Sequence, residues 1–207
     1  HGVHARAILK EGVPLVAQGK LENLETHCVL FDNRAAMKQA ADYVIEKGHR
    51  RLGHLAGPAF SVGAKQRKLG FIEGLIQHDI PVSDAKIVDA GETAADGYLG
   101  ALEILKDPAG RPTALLCFND MVAMGAYRAA HELSLQIPED LSVVGFDGID
   151  FAELLGPPLT TVDIFPHLLG QKCAELLVRA IGDQTGRGFV TECVTPKLGE
   201  RASVRHL

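Results

Sequence analysis

Three residues of this 207-residue chain combine polar or charged side chains with positions where such groups meet ligands: Arg67, Asn119 and Asp147. Arg67 lies in Ala64-Lys-Gln-Arg-Lys68, which reads as the start of a helix after the loop Gly57-Pro-Ala-Phe-Ser-Val-Gly63. Three cations in a first helical turn oppose the macrodipole by roughly 0.3–1 kcal/mol each when exposed. A bound anion or polar ligand, a carboxylate across a cleft, or a solvated basic end each fits that cluster. Asn119 follows the apolar run Ala114-Leu-Leu-Cys-Phe118 and precedes a helix, where it serves as an N-cap or as a donor and acceptor for ligand hydroxyls. Asp147, in Asp147-Gly148, is a turn former or a carboxylate able to accept from two adjacent hydroxyls or from a base N–H.

The surrounding pattern positions all three at one kind of place. Helical periodicity is expected over 34–47, 65–78, 94–106, 120–133 and 166–181, and apolar strands over 51–56, 86–90, 114–118, 141–146 and 189–194. Asp32 or Asn33 can cap the first of these helices and Gly48 can end it. Alternating strands and helices with short connections imply an α/β fold with a parallel sheet. Ligands of such sheets bind outside the carboxyl ends of the strands, which is where Arg67, Asn119 and Asp147 fall.

Other chemistries fit poorly. The 57–63 loop lacks the spacing of a GxSxG elbow, and no P-loop or GxGxxG follows a strand, so no cofactor is expected. An α/β enzyme using Asp147 or His167 lacks a visible nucleophile–base–orienter set. Gly97-Tyr-Leu-Gly100 sits inside a helix pattern and reads as close packing. His1-x-x-His4 reads as a frayed start rather than a metal site, and no metal ligand set is expected. His49 and His54 flank Arg50-Arg51 and read as surface and strand positions. Cys28, Cys117, Cys173 and Cys193 form no CxxC pair and read as reduced, mostly buried thiols of a cytoplasmic protein. With 21 Lys and Arg against 26 Asp and Glu, the net charge of −5 argues against a broad nucleic-acid-binding face. No apolar run approaches a membrane span.

The stretches Phe31-Asp-Asn-Arg34, Glu46-Lys-Gly-His-Arg-Arg-Leu52, Leu55-Ala-Gly-Pro58 and Arg67-Lys-Leu-Gly-Phe71 occur in a recognisable order. Arg111-Pro-Thr-Ala114, Asn119-Asp-Met-Val-Ala-Met-Gly125, Ile137-Pro-Glu-Asp-Leu-Ser-Val-Val-Gly-Phe-Asp147 and Pro157-Pro-Leu-Thr-Thr-Val162 follow. Over about residues 12–200 the chain resembles the effector-binding region of the lactose-repressor/galactose-repressor transcription regulators. The resemblance implies a periplasmic-binding-protein-like (type I) fold of two doubly wound parallel-sheet lobes, with the N-terminal lobe incomplete. The implied parts are a remnant of the N-terminal lobe over 1–31, a C-terminal effector-binding lobe over 32–162, a return helix of the N-terminal lobe over 163–190, and a closing strand and tail of the C-terminal lobe over 191–207. Crossovers are expected near Phe31–Asn33, Val162–Ile164 and Thr191–Cys193.

The family's effector contacts map onto Arg67, Asn119 and Asp147, joined by Ser61 in the 57–63 loop and Ile164 at a crossover. The implied function is that of a bacterial repressor region that binds a sugar or similar metabolite, forms a homodimer, and controls operator DNA only through a helix-turn-helix domain lying outside this sequence. A sugar-binding receptor of the same fold is the rival. The family often has a second Asp where this chain has Gly148, and Arg-Gln where it has Asp163-Ile164, which leaves the ligand class open. Ile149, Phe151, Leu154 and Leu155, with Met121 and Met124 of the neighbouring helix, form the expected dimer face, unless they turn inward as core.

Overall fold

The computed structural model describes residues 2–21, 23–182 and 188–207. The helices are α1 (Gly2–Lys10), α2 (Asn33–Glu46), α3 (Val62–Gln77), α4 (Ala94–Leu105), α5 (Asp120–Glu132) and α6 (Pro166–Gly182). The strands are β1 (Val16–Gln18), β2 (His27–Leu30), β3 (Leu52–Ala56), β4 (Lys86–Asp89), β5 (Ala114–Cys117), β6 (Ser142–Asp147), β7 (Thr160–Asp163), β8 (Thr191–Cys193) and β9 (Lys197–Gly199). Contacts divide the chain into two compact units, His1–Asp32 with Ile164–Pro196 and Asn33–Asp163 with Lys197–Leu207.

The larger unit is built on a six-stranded sheet in the order β4-β3-β5-β6-β7-β9, parallel except for β9, which runs antiparallel to β7. Strands β3 and β5 are buried along their whole length, as continuous apolar runs in a doubly covered parallel sheet must be. From β3 the chain steps to β4 on one side and then back past β3 to β5, β6 and β7 on the other. Right-handed crossovers therefore put α3 on one face and α4 and α5 on the other. α2 packs on α3, and α4 packs on α5. Leu115, Leu105, Leu141, Val143, Leu159 and Phe118 belong to the core beneath the second pair.

Both helix pairs cross at glycines. A Cβ on Gly70 would stand 2.1 Å from the Arg34 carbonyl oxygen, and one on Gly97 2.2 Å from that of Val122. Gly97 thus serves the close packing expected of it.

The smaller unit is a three-stranded parallel sheet, β1-β2-β8, with α6 against β1 and β2. Here the structure departs from the expected parts. Thr191–Cys193 pairs with β2 rather than closing the other lobe, and the chain passes between units only after Pro196. One edge strand of the larger sheet is β9, which the sequence reading did not separate from the tail.

Two further expectations are corrected. His49 is fully buried rather than superficial, with Nδ1 2.9 Å from Thr113 Oγ1 and Nε2 3.2 Å from the Arg205 carbonyl oxygen. Of the four thiols, Cys28 and Cys117 are buried, Cys173 is half-buried and Cys193 is exposed. His1 of the His1-x-x-His4 pattern lies outside the described residues.

Candidate functional site

Helix α3 begins at Val62, three residues earlier than its apolar periodicity suggests. Ser61 holds extended backbone (φ −79°, ψ 125°), and its hydroxyl accepts from the Ala64 N–H at 3.2 Å, satisfying one of the open first-turn amides. Lys65, Arg67 and Lys68 therefore lie beyond the first turn, where the dipole's opposition fades. Two of them also have carboxylate partners: Lys68 meets Asp89 at 3.3 Å and Arg67 meets Asp147 at 3.1 Å.

Arg67 is the best-held side chain of the site. Its Nε donates to Asn33 Oδ1 at 2.8 Å, one Nη to the Phe118 carbonyl oxygen at 2.5 Å, and the other to Asp147 Oδ1. The guanidinium carbon lies 3.7 Å from the Phe146 ring centre and 4.7 Å from that of Phe118, so two aromatic rings contribute cation–π attraction. A charge 6% exposed is tolerated only with such partners. Burial pulls the Arg67 pKa down while Asp147 opposes the shift, and a guanidinium remains protonated throughout.

Asp147 ends β6 at φ +107°, followed by Gly148 at φ +72°. For a non-glycine residue that backbone costs of order 1–3 kcal/mol and persists only where neighbours impose it. Its side chain keeps 31% of its surface open, against 8% for Arg67, so the carboxylate is the solvent-facing half of the pair. Burial raises its pKa and Arg67 pulls it back.

Asn119 takes the capping role. It holds extended backbone at the start of α5, its Oδ1 accepts from the Val122 N–H at 2.8 Å, and its Nδ2 donates to the Glu92 carbonyl oxygen at 3.1 Å. The structure thus brings Arg67 and Asp147 together, while Asn119 bonds to backbone rather than to either. Ile164 is buried and falls in the smaller unit.

Sequence reasoning missed the second layer. Asn33 entered it only as a helix cap, and Phe118 and Phe146 only as strand residues. Asp120, seen only as the residue opening α5, is 1% exposed and accepts from Thr161 Oγ1 at 2.5 Å and from the Ile149 N–H at 2.9 Å. Its burial pushes its pKa up to about 6 against those bonds. The one available signal was the glycine opposite: a Cβ on Gly145 would lie 2.1 Å from Asp120 Oδ1. Among the described residues no three His, Cys, Asp or Glu side chains are grouped to hold a metal ion, and no helix is long and apolar enough to cross a membrane.

The arginine and the carboxylate are fixed beside the β3–β5 switch point, where the strand order reverses and where sheets of this kind hold ligands. Fold and site together describe a ligand-binding α/β module. Residues 41–204 match the model of the periplasmic binding protein-like domain. The chain is 34% identical over 194 residues to the HTH-type transcriptional repressor PurR of Pectobacterium atrosepticum, covering 93% of this chain and 56% of that one. It thus spans little more than half the length of that curated relative. A solved LacI family transcriptional regulator from Enterococcus faecium with bound ribose superposes with a TM-score of 0.89 at 26% identity, covering 98% of this chain and 74% of that one. A LacI family regulatory protein from Chloroflexus aggregans superposes at 0.83 with 33% identity, covering 98% and 73%. The chain belongs to the periplasmic binding protein-like domain family, in its LacI-type regulator branch.

Proposed function

We propose that this chain is the effector-binding and dimerisation region of a cytoplasmic transcriptional repressor, with Arg67 and Asp147 as the pair that engages the effector. The observation that carries the reading is the pair itself. A buried guanidinium fixed by three acceptors presents a carboxylate that stays about a third exposed at a strand exit. With its charge largely answered by Asp147, Arg67 suits a neutral, hydroxyl-rich ligand better than a free anion. The ribose of the Enterococcus faecium regulator is a ligand of that chemistry. Ser61 and Asn119, in the same unit, are assigned to the same ligand through whatever capacity their capping bonds leave. The function is binding rather than catalysis. Operator DNA is contacted by a helix-turn-helix domain of the full-length protein, and effector and operator affinities are coupled by about 1–3 kcal/mol, the usual range for such linkage.

Calorimetry with D-ribose and related sugars on the full-length protein tests this. Asp147→Ala is expected to weaken binding by roughly 1.5–3 kcal/mol, the loss of a charged hydrogen-bonding group. Affinity unchanged in both Asp147→Ala and Arg67→Ala would remove the assignment.

A further inference from the structure

Asn119 already caps α5, so the helix start does not account for the burial of its neighbour Asp120. A carboxylate in a first helical turn ordinarily stays in solvent and gains from the dipole there. Asp120 instead enters a slot that the absent side chain of Gly145 leaves open in β6. Its described bonds lead to two places. Oδ1 takes the Thr161 hydroxyl on β7. Oδ2 takes the N–H of Ile149, and the Gly148 N–H further favours its ionised form. Ile149 and Gly148 close the turn that opens at Asp147, where two successive residues hold left-handed backbone. Such a turn needs outside support, and this carboxylate supplies it at the far end.

We infer that Asp120 is a positioning residue, fixing the 147–149 turn so that the Asp147 carboxylate faces Arg67. The importance of this for effector binding rests on the reading of Arg67 and Asp147 given above. The ionisable groups around Asp120 are Asp147 on β6, Arg67 on α3 and Cys117 on β5, while Asp163 on β7 lies beside Gly148. Because Asp120 titrates near 6, the support weakens as the solution turns mildly acidic.

The test uses nuclear magnetic resonance on the full-length, ligand-free protein. In the unmodified protein the Ile149 amide shift should titrate with a midpoint near pH 6, with Gly148 following. Asp120→Asn should abolish that titration and speed exchange of the Arg67 Nη protons that face Asp147 at least tenfold. Thr161→Val removes a bond to the same carboxylate but none to the turn. It should lower the melting temperature while leaving exchange of the same Arg67 Nη protons within twofold. Unchanged exchange in Asp120→Asn overturns the inference, as does equal acceleration in Thr161→Val, which would signal general loosening. Should Asp120→Asn not fold, the unmodified protein decides: an Ile149 amide that follows no carboxylate titration anywhere between pH 3 and 8 overturns it. A D-ribose titration read alongside separates the two ideas. Absence of ribose binding counts against the ligand reading and leaves the amide and guanidinium results to judge Asp120.

Discussion

His54 is a titratable group built into the middle of β3, and its surroundings determine its protonation. Nδ1 lies 3.0 Å from the Leu116 carbonyl oxygen, which can only accept, so Nδ1 carries the ring proton. Nε2 is buried with no hydrogen-bond partner among the described residues, and the ring stacks on Phe71 at 5.0 Å between centres. Adding a proton to Nε2 would bury a charge with nothing to receive it, so desolvation lowers the pKa to about 4. In the unfolded chain the ring protonates near its ordinary 6.5, so acidification favours unfolding from about pH 6.5 down to 4. Asp120 runs the other way. Its raised folded pKa adds stability in acid that is lost as pH rises through about 6. The two effects largely cancel in the unmodified protein, so a comparison isolates His54. The stability difference from His54→Leu should swing towards the variant by about 3 kcal/mol between pH 7 and pH 4. Urea denaturation across that range checks this, and a pH-independent difference would mean that His54 protonates normally. None of this was legible in the sequence. His54 and Asp120 are defined by what lies across the sheet, whereas Arg67 and Asp147 were found because strand exits can be placed from periodicity alone.

Among the elements, the helix pairs are set by glycines rather than by large side chains. Gly97 and Gly125 bring α4 and α5 together almost backbone to backbone. A Cβ on Gly125 would meet the Ala94 carbonyl oxygen at 2.2 Å. Replacing Gly97 by Ala leaves helix propensity improved by up to about 1 kcal/mol, yet the new methyl has only backbone to push against. The expected net outcome is destabilisation by about 1–3 kcal/mol, the range for overpacking, read as a lower urea midpoint. A stabilised variant would show that the helices can separate freely. The helices of the larger unit were readable because each carries a strong period, and β3, β5 and β6 because each is a continuous apolar run. Strands β1 and β9 have three residues each, too few for a period to register. Helix α3 gained a turn because a capping hydroxyl, not an apolar side chain, decides where it starts.

For the whole molecule, the outward face of the larger unit bears on assembly. Met121, Phe151 and Leu154 are 41%, 63% and 77% exposed, while Met124, Ile149 and Leu155 are half-buried. Leu99 on α4, which packs on α5, is also exposed at 64% and was not anticipated from sequence. In the proposed homodimer these side chains meet their own copies about a two-fold axis. Leu154→Asp is expected to give monomers by light scattering of the full-length protein, since an unpaired carboxylate within an interface is costly. A dimer of undiminished affinity would place the interface elsewhere.

The antiparallel strand β9 also constrains when the larger unit can be finished. Its other elements end at Asp163, but the edge of β7 is closed only by Lys197–Gly199. Beyond that strand, Ser203 donates to the Val143 carbonyl oxygen, and the Leu207 N–H donates to that of Lys47. On the ribosome, five strands of the sheet therefore emerge more than thirty residues ahead of the strand that closes it. Through that interval β7 is an unprotected edge, the kind of surface on which nascent chains associate wrongly. Chains truncated at residue 190 and stalled behind a linker long enough to clear the exit tunnel should remain protease-sensitive across 33–163, and chains extended past 207 by the same linker should become resistant. Equal resistance in both would show that the sheet closes without its last strand.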